Sequence, residues 1–273
     1  MELYDAMLKR KSIRKYADKR VDKKVLEELQ NYITELIPLY DKISVKTIIL
    51  ESNKLDKYFE NSCQIHAPYY IVFTSQEKNW FGENIGFIGE KLIVFLTSLG
   101  IGTCWIGTLK PSKTAFELPY VISIAFGYAD EELYREGLEQ ISRKSIEQIC
   151  LKNSRDDFMN ELLQAVRIAP SGINRQPWRI ETATDLIHIY CEKPSFLTPV
   201  NSDNLKGLMP GVILKKMQGV SCGAAIAHID ICSSYFDKEI TFSRLQDKEN
   251  VHKKLTYLLS AIIKKNNIIV FTK

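Results

Sequence analysis

Between Val220 and Ser234 one helical run carries Gly223, Ala224, Ala225 and Ala227. Such a helix has little side chain on it and permits another backbone to pack very close. A long run from about Glu83 to Leu99 is its counterpart, with Ile85, Ile88, Leu92, Phe95 and Leu99 as apolar positions. Gly89-Glu90-Lys91-Leu92 can be laid over Gly223-Ala224-Ala225-Ile226. Each half of the chain has an early amphipathic helix, strands, and then its long helix followed by another strand. The halves therefore read as diverged copies, residues 1–150 and 151–273, packed as one unit.

The remaining elements fit this frame. Leu3, Met7 and Arg10 fall on adjacent turns of a short helix, and Asp22 is placed to cap a second, with Val25, Leu26, Leu29, Ile33 and Leu36 as its stripe. Thr47–Leu50, Tyr69–Phe73, Val121–Phe126 and Leu186–Cys191 read as strands, with more near Ile240 and between Leu258 and Ile263. Phe158, Leu162, Ala165 and Ile168 mark a helix that stops at Pro170. The charged stretch Glu131–Lys152 reads as the connection between halves. Strands and helices mixed without a strict βαβ rhythm predict an α+β fold.

Composition narrows the function classes. Hydrophobic residues make up 45% of the 273 residues, ample for a core. Lys and Arg (37) are interleaved with Asp and Glu (33), so the net charge of +4 marks no nucleic-acid surface. The six cysteines form no C-x-x-C pair and lie at no zinc-ligand spacing from a histidine, which predicts buried, free thiols. No basic segment followed by an apolar run opens the chain, and charges break every apolar stretch before membrane-spanning length. The expectation is a cytoplasmic protein with no membrane partner. His66, His188, His228 and His252 are scattered and read as surface or structural residues.

Three segments carry chemistry. Arg10-Lys11-Ser12-Ile13-Arg14 gathers three cations and a hydroxyl, an anion site or else a solvated basic helix end. Ala169 to Trp178 (A-P-S-G-I-N-R-Q-P-W) offers Ser171, Asn174 and Gln176, whose donors and acceptors suit a heterocycle edge, although Trp178 would anchor a structural turn equally well. Leu99 to Gly107, continuing to Thr108, reads as a glycine turn after the long helix. Gly107 either lets a flat ring approach the backbone or serves as a helix cap.

In this order the three segments resemble the FMN-dependent nitroreductase family. Arg10 to Tyr16 is similar to its R-R-S-x-R-x-F element, Ala169 to Trp178 to its A-P-S-x-x-N-x-Q-P-W loop, and Leu99 to Gly107 to its G-L-G-T-x-W-I-G turn. Arg143-Lys144-Ser145-Ile146-Glu147 resembles the R-K-P-L-E element near that family's C-terminus. The arrangement departs from the usual one, since the first half has Ile33 to Ser44 where the A-P-S loop belongs. The second half has Ser234-Tyr235-Phe236-Asp237 in place of a glycine turn, and Asn153-Ser154-Arg155-Asp156 as a worn basic element. The segment from Asn61 to Pro68 keeps the family's Ala-Pro but not its lysine.

The resemblance implies a nitroreductase-like fold in which one chain stands in for a two-subunit enzyme, as in the single-chain group of that family, so that a monomer suffices. It implies one FMN per chain, with Arg10, Lys11, Ser12 and Arg143 at the phosphate and Arg14 near the flavin N1–C2=O region. Trp105, Ile106, Gly107 and Thr108 would lie along the ring edge, and Pro170, Ser171, Asn174 and Gln176 would close the pocket. The flavin would carry hydride from NAD(P)H to a small acceptor by a ping-pong cycle, with no protein catalytic residue and no metal. An FMN-holding or flavin-sensing module without turnover, and a relative with no flavin, are the rival expectations.

Overall fold

The computed structural model describes residues 1–264 except 62, 155, 203, 204 and 250. Helix α1 (Leu3–Lys9) buries Tyr4, Ala6 and Met7, and α2 (Lys23–Glu35) lays its stripe on the first core. Asp22 occupies the α2 N-cap position, but its side chain makes no capping bond. The first sheet then forms from β1 (Val45–Glu51), β2 (Tyr69–Ser75), β3 (Gly102–Ile106) and β4 (Tyr120–Gly127), in the order β1-β2-β4-β3, with every pair antiparallel. Helix α3 (Phe81–Ser98) connects β2 to β3.

From β4 the chain runs through a one-turn helix, α4 (Ile146–Ile149), to β5 (Cys150–Lys152), which joins the second sheet. Next come α5 (Asp157–Arg167), β6 (Trp178–Ala183), β7 (Leu186–Glu192), the hairpin β8 (Leu197–Ser202) and β9 (Leu205–Pro210), and α6 (Gly211–Tyr235). Strands β10 (Ile240–Ser243) and β11 (Leu255–Ile263) complete a sheet ordered β10-β11-β7-β6-β5. Without β5 and the hairpin, β6-β7-α6-β10-β11 has the chain order, strand order and antiparallel pairing of β1-β2-α3-β3-β4. The two sheets share one topology.

Helices α3 and α6 pack against each other, and glycine makes this contact possible. A Cβ on Gly86 would overlap the Val220 carbonyl, and one on Gly223 would overlap the Glu83 carbonyl. The core follows from this contact. Phe87 and Val94 of α3 join residues of α1, α5, α6, β6, β7 and β11 in one cluster, while Ile85, Ile88 and Leu92 pack toward the first sheet.

Several sequence expectations need correction. Helix α6 begins nine residues before Val220, at Gly211. Strand β6 and the β8–β9 hairpin were not anticipated, and β11 starts at Leu255. Glu131–Lys152 does cross between the sheets, but it carries α4 and β5. The cysteines are free, and all but the half-buried Cys150 are buried. Among the described residues no helix is long and apolar enough to cross a membrane.

Candidate functional site

The basic N-terminal element lies along the free edge of β3. Helix α1 ends where the Arg10 amide bonds to the Ala6 carbonyl, 2.8 Å away, and the chain becomes extended. Ser12 then bridges Thr103 in parallel, and the Ile13 amide donates to the Thr103 carbonyl at 2.9 Å. Ile13 is fully buried against Gly102. Arg10 points inward, while Lys11 and Ser12 are half-buried and Arg14 is exposed. The Arg14 and Lys15 amides both donate to the Glu131 carboxylate, at 2.6 and 3.0 Å.

Arg10 meets Glu90 of α3, a carboxylate with no solvent exposure (Nη1–Oε1 3.4 Å). The Trp105 indole donates to the other Glu90 oxygen at 3.1 Å, and its ring covers Gly89. His228 of α6 places Nε2 3.2 Å from Glu90 Oε1 and Nδ1 2.7 Å from the Ala165 carbonyl, so Nδ1 is the donor there. One buried carboxylate thus ties α3 to the N-terminal element, to β3 and to the second half. Neither Glu90 nor His228 stood out in the sequence, because each lies in a mainly apolar stretch of helix with no motif around it.

Two further arginines surround this pair. Arg135 donates to the Arg10 carbonyl through Nη2, and its amide bonds to the Lys9 carbonyl at 2.9 Å. Burial first, then repulsion from Arg10 and Arg143, lowers the Arg135 pKa to about 9. Burial and then Arg10 lower that of Arg143 to about 10. In both cases Glu90 opposes the shift. The buried atoms Arg10 Nε, Arg135 Nε and Arg135 Nη1 have no hydrogen-bond partner among the described residues. Cations outnumber the central carboxylate, and donors are left over, as in a site built for an anion.

The A-P-S loop holds the third arginine. Arg143 donates to the Ala169 carbonyl at 3.2 Å and to Asn174 Oδ1 at 2.7 Å. Asn174 Nδ2 returns a bond to the Ser142 carbonyl at 2.9 Å. Gln176 is buried; its Oε1 accepts from the Lys144 amide at 2.7 Å, and its Nε2 donates to Asn174 Oδ1 at 3.0 Å. Ser171 Oγ accepts from the Gln176 amide at 3.0 Å, behind the buried Pro170. The expectation of free donors in this loop is therefore corrected: its amides are consumed in fixing Ser142 to Lys144. Ile173, Asn174 and Gln176 all take φ near +50°, a strained set for side-chain-bearing residues.

The glycine turn is also corrected. Gly100, at φ +80°, makes the turn alone, and Gly102 to Ile106 is strand β3. Gly107 follows the strand, exposed, with no atom within 4 Å of where a Cβ would stand. Thr108 is exposed beside it, its carbonyl bonded to Asn61 Nδ2 at 2.9 Å. Cys104, on the opposite strand face from Trp105, is buried with its thiol pKa raised, and Arg14, Arg10 and Ser12 oppose that shift. The structure thus brings Arg10, Arg143 and the A-P-S loop together, with Ser12 against Thr103 two residues beyond Arg10. Among the described residues no hydrogen bond joins Gly107 or Thr108 to the arginines or to that loop. Nor, among them, is any group of three His, Cys, Asp or Glu placed to hold a metal ion.

Comparison with known proteins fits this picture. The family model described as "Putative TM nitroreductase" matches residues 2–233. A solved structure from Thermotoga maritima, described as "a putative nitroreductase", superposes with a TM-score of 0.62 at 19% identity, covering 96% of this chain and 93% of its own. A nitroreductase family protein from Clostridium novyi covers 48% of this chain and 87% of its own (23% identity, TM-score 0.41). An FMN-dependent nitroreductase from Clostridium difficile covers 50% and 94% (18% identity, TM-score 0.40). No curated protein matches the sequence.

Proposed function

The chain belongs to the nitroreductase family whose model spans residues 2–233, and from that premise we propose that it binds one FMN and works as an NAD(P)H-dependent oxidoreductase on a small electron acceptor. The observation that carries this reading is the arginine group Arg10, Arg135 and Arg143, with its unpartnered donors around the single carboxylate of Glu90. A phosphate ester fits such a set, because guanidinium groups match its oxygens and supply the missing counter-charge. The shared topology of the two sheets supports a division into two halves, 1–150 and 151–273, that imitate a dimer within one chain.

Arg10, Ser12 and Arg143 would hold the phosphate, with Lys11 at its margin. Arg14 is exposed at the mouth of the same element and would place its charge toward the ring's N1–C2=O side. Open space at Gly107 leaves the backbone from Trp105 to Thr108 accessible along the ring edge. Pro170, Ser171, Asn174 and Gln176 orient Arg143 and wall the pocket from the second half. Bound FMN supplies the redox chemistry, taking hydride from NAD(P)H and passing it to an acceptor such as a nitroaromatic or quinone in a ping-pong cycle. The protein's part is to position the ring, fix charge beside it and exclude water.

A second reading, a flavin-holding module with little turnover, draws on one observation. The amides of Asn174 and Gln176 are already used within the protein, so fewer side chains remain to grip the ring. A visible spectrum before and after anaerobic NADH or NADPH separates the two. The oxidoreductase reading predicts a yellow protein that bleaches; a yellow protein that does not bleach favours the module, and failure to bind added FMN removes both. Arg14→Ala is expected to slow flavin reduction more than Ser12→Ala, and equal rates would argue against the place given to Arg14.

A further inference from the structure

Arg135 belongs to no motif. It lies in the charged crossing between the two sheets, yet the fold directs its guanidinium inward. Its backbone amide is fixed to Lys9 and its Nη2 to the Arg10 carbonyl. Nε and Nη1 are buried and bond to nothing among the described residues. Around them stand Arg10, Arg143 and one carboxylate, Glu90, which is already shared with Trp105 and His228. Among the described residues this guanidinium makes one hydrogen bond, to the Arg10 carbonyl. It repels its two neighbours, and two of its donors are desolvated without compensation, which costs stability. An anion carrying more than one negative charge and several acceptor oxygens would repair both defects.

We infer that Arg135 is a phosphate-clamping residue, which makes flavin binding depend on the phosphate ester and so discriminates FMN from riboflavin. The inference rests on the flavin reading above and adds to it a residue and a specificity. Tyr134 helps by bridging Arg10 in antiparallel pairing, which holds the Arg135 backbone beside the end of α1. Position 135 is therefore set by backbone pairing before any ligand arrives, and the clamp is preorganised.

The test compares the intact wild-type chain with Arg135→Ala and Arg135→Lys, titrated with FMN, riboflavin and inorganic phosphate. Affinity is read by flavin fluorescence, and phosphate binding by thermal shift. In Arg135→Ala, FMN affinity is expected to fall about tenfold to a hundredfold, the range for losing charge-assisted hydrogen bonds, with riboflavin affinity changing less than about twofold. Arg135→Lys should fall between, since a point charge keeps the attraction but not the paired donors. Without ligand, Arg135→Ala should melt no lower than wild type, which separates a lost clamp from a damaged fold. Equal losses for FMN and riboflavin, or no loss for FMN, overturn the inference. So does a wild type that binds both flavins equally, although that result leaves the flavin reading standing. A wild type that binds neither flavin overturns the inference together with the flavin reading, and phosphate that stabilises wild type and Arg135→Ala alike overturns the clamp.

Discussion

The ends of β3 and β10 occupy equivalent places in two sheets of one topology, and they are finished differently. After β3 comes Gly107, exposed and open on its Cβ side. After β10 comes Arg244, whose guanidinium lies 4.3 Å above the Trp80 ring and donates to the Tyr257 and Leu258 carbonyls and to Glu249. The loops that lead into the matching strands β1 and β6 diverge as well. Residues 36–44 are held by Asn84 of α3, which exchanges two bonds with the Tyr40 backbone, and Tyr40 stacks beside Trp80. The A-P-S loop is held by Ser221 of α6 and carries Arg143 with it. One end is an open edge, and the other is filled by the chain's own aromatic and guanidinium groups. A shared topology does not impose shared packing: side chains fill one strand end and leave the other open.

The largest effect should come from Glu90→Ala. It removes the carboxylate from the centre of Arg10, Arg135 and Arg143, leaves the Trp105 indole without its acceptor and takes away the group facing His228 Nε2. Loss of one partner from a buried charge pair costs about 3–5 kcal/mol, readable as a drop in the denaturation midpoint. A loss below about 1 kcal/mol would mean that water, and not Glu90, balances the first region. The paired substitutions Gly107→Leu and Arg244→Ala should then separate the two strand ends. Gly107→Leu should leave stability within about 0.5 kcal/mol, because the space is open, while weakening flavin binding. Arg244→Ala should lower stability by about 1–2 kcal/mol through lost carbonyl bonds and ring contact and leave flavin binding intact. Reversed outcomes would exchange the roles assigned to the two ends.

The smallest effect concerns Glu83, which faces α6 near Arg244. Burial raises its carboxyl pKa, against opposing pulls from Lys215 and Arg244. With the folded pKa above the unfolded one, the folded state holds its proton longer. Glu83 therefore subtracts stability progressively as pH rises from the unfolded value through the folded one. Glu83→Gln should remove that slope and raise stability at neutral pH, by less than about 1 kcal/mol. A flat wild-type profile through that acidic range would show that attraction from Lys215 and Arg244 offsets burial.

The sequence exposed what periodicity and punctuation encode. Helix α3 follows its apolar stripe and ends just before the turn at Gly100, the strand Tyr69–Ser75 is a continuous buried run, and Tyr120–Gly127 is buried from Ser123 onward. Strand β6 was hidden because Trp178 reads as the anchor of a proline-rich loop, although the strand alternates buried and half-buried residues. Pro199 and Pro210 disguise β8 and β9, since proline argues against a strand. The first turns of α6 carry Gly211, Lys215, Lys216 and Gly219, too polar and glycine-rich to signal a helix. At the site, Arg10, Ser12, Arg143 and the A-P-S loop were visible as motif residues. Arg135, Glu90 and His228 were not, because their meaning is tertiary: each acquires its partners only when two helices cross and the crossing segment folds back onto α1.

The ratio of FMN bound per chain is the most direct measure of whether one end is open and the other closed. Titration of the purified chain, followed by flavin absorbance against protein concentration, should saturate at one FMN per chain and stay at one in Arg244→Ala. Saturation at two, or no saturable binding, would contradict the division of the molecule into one retained and one filled site.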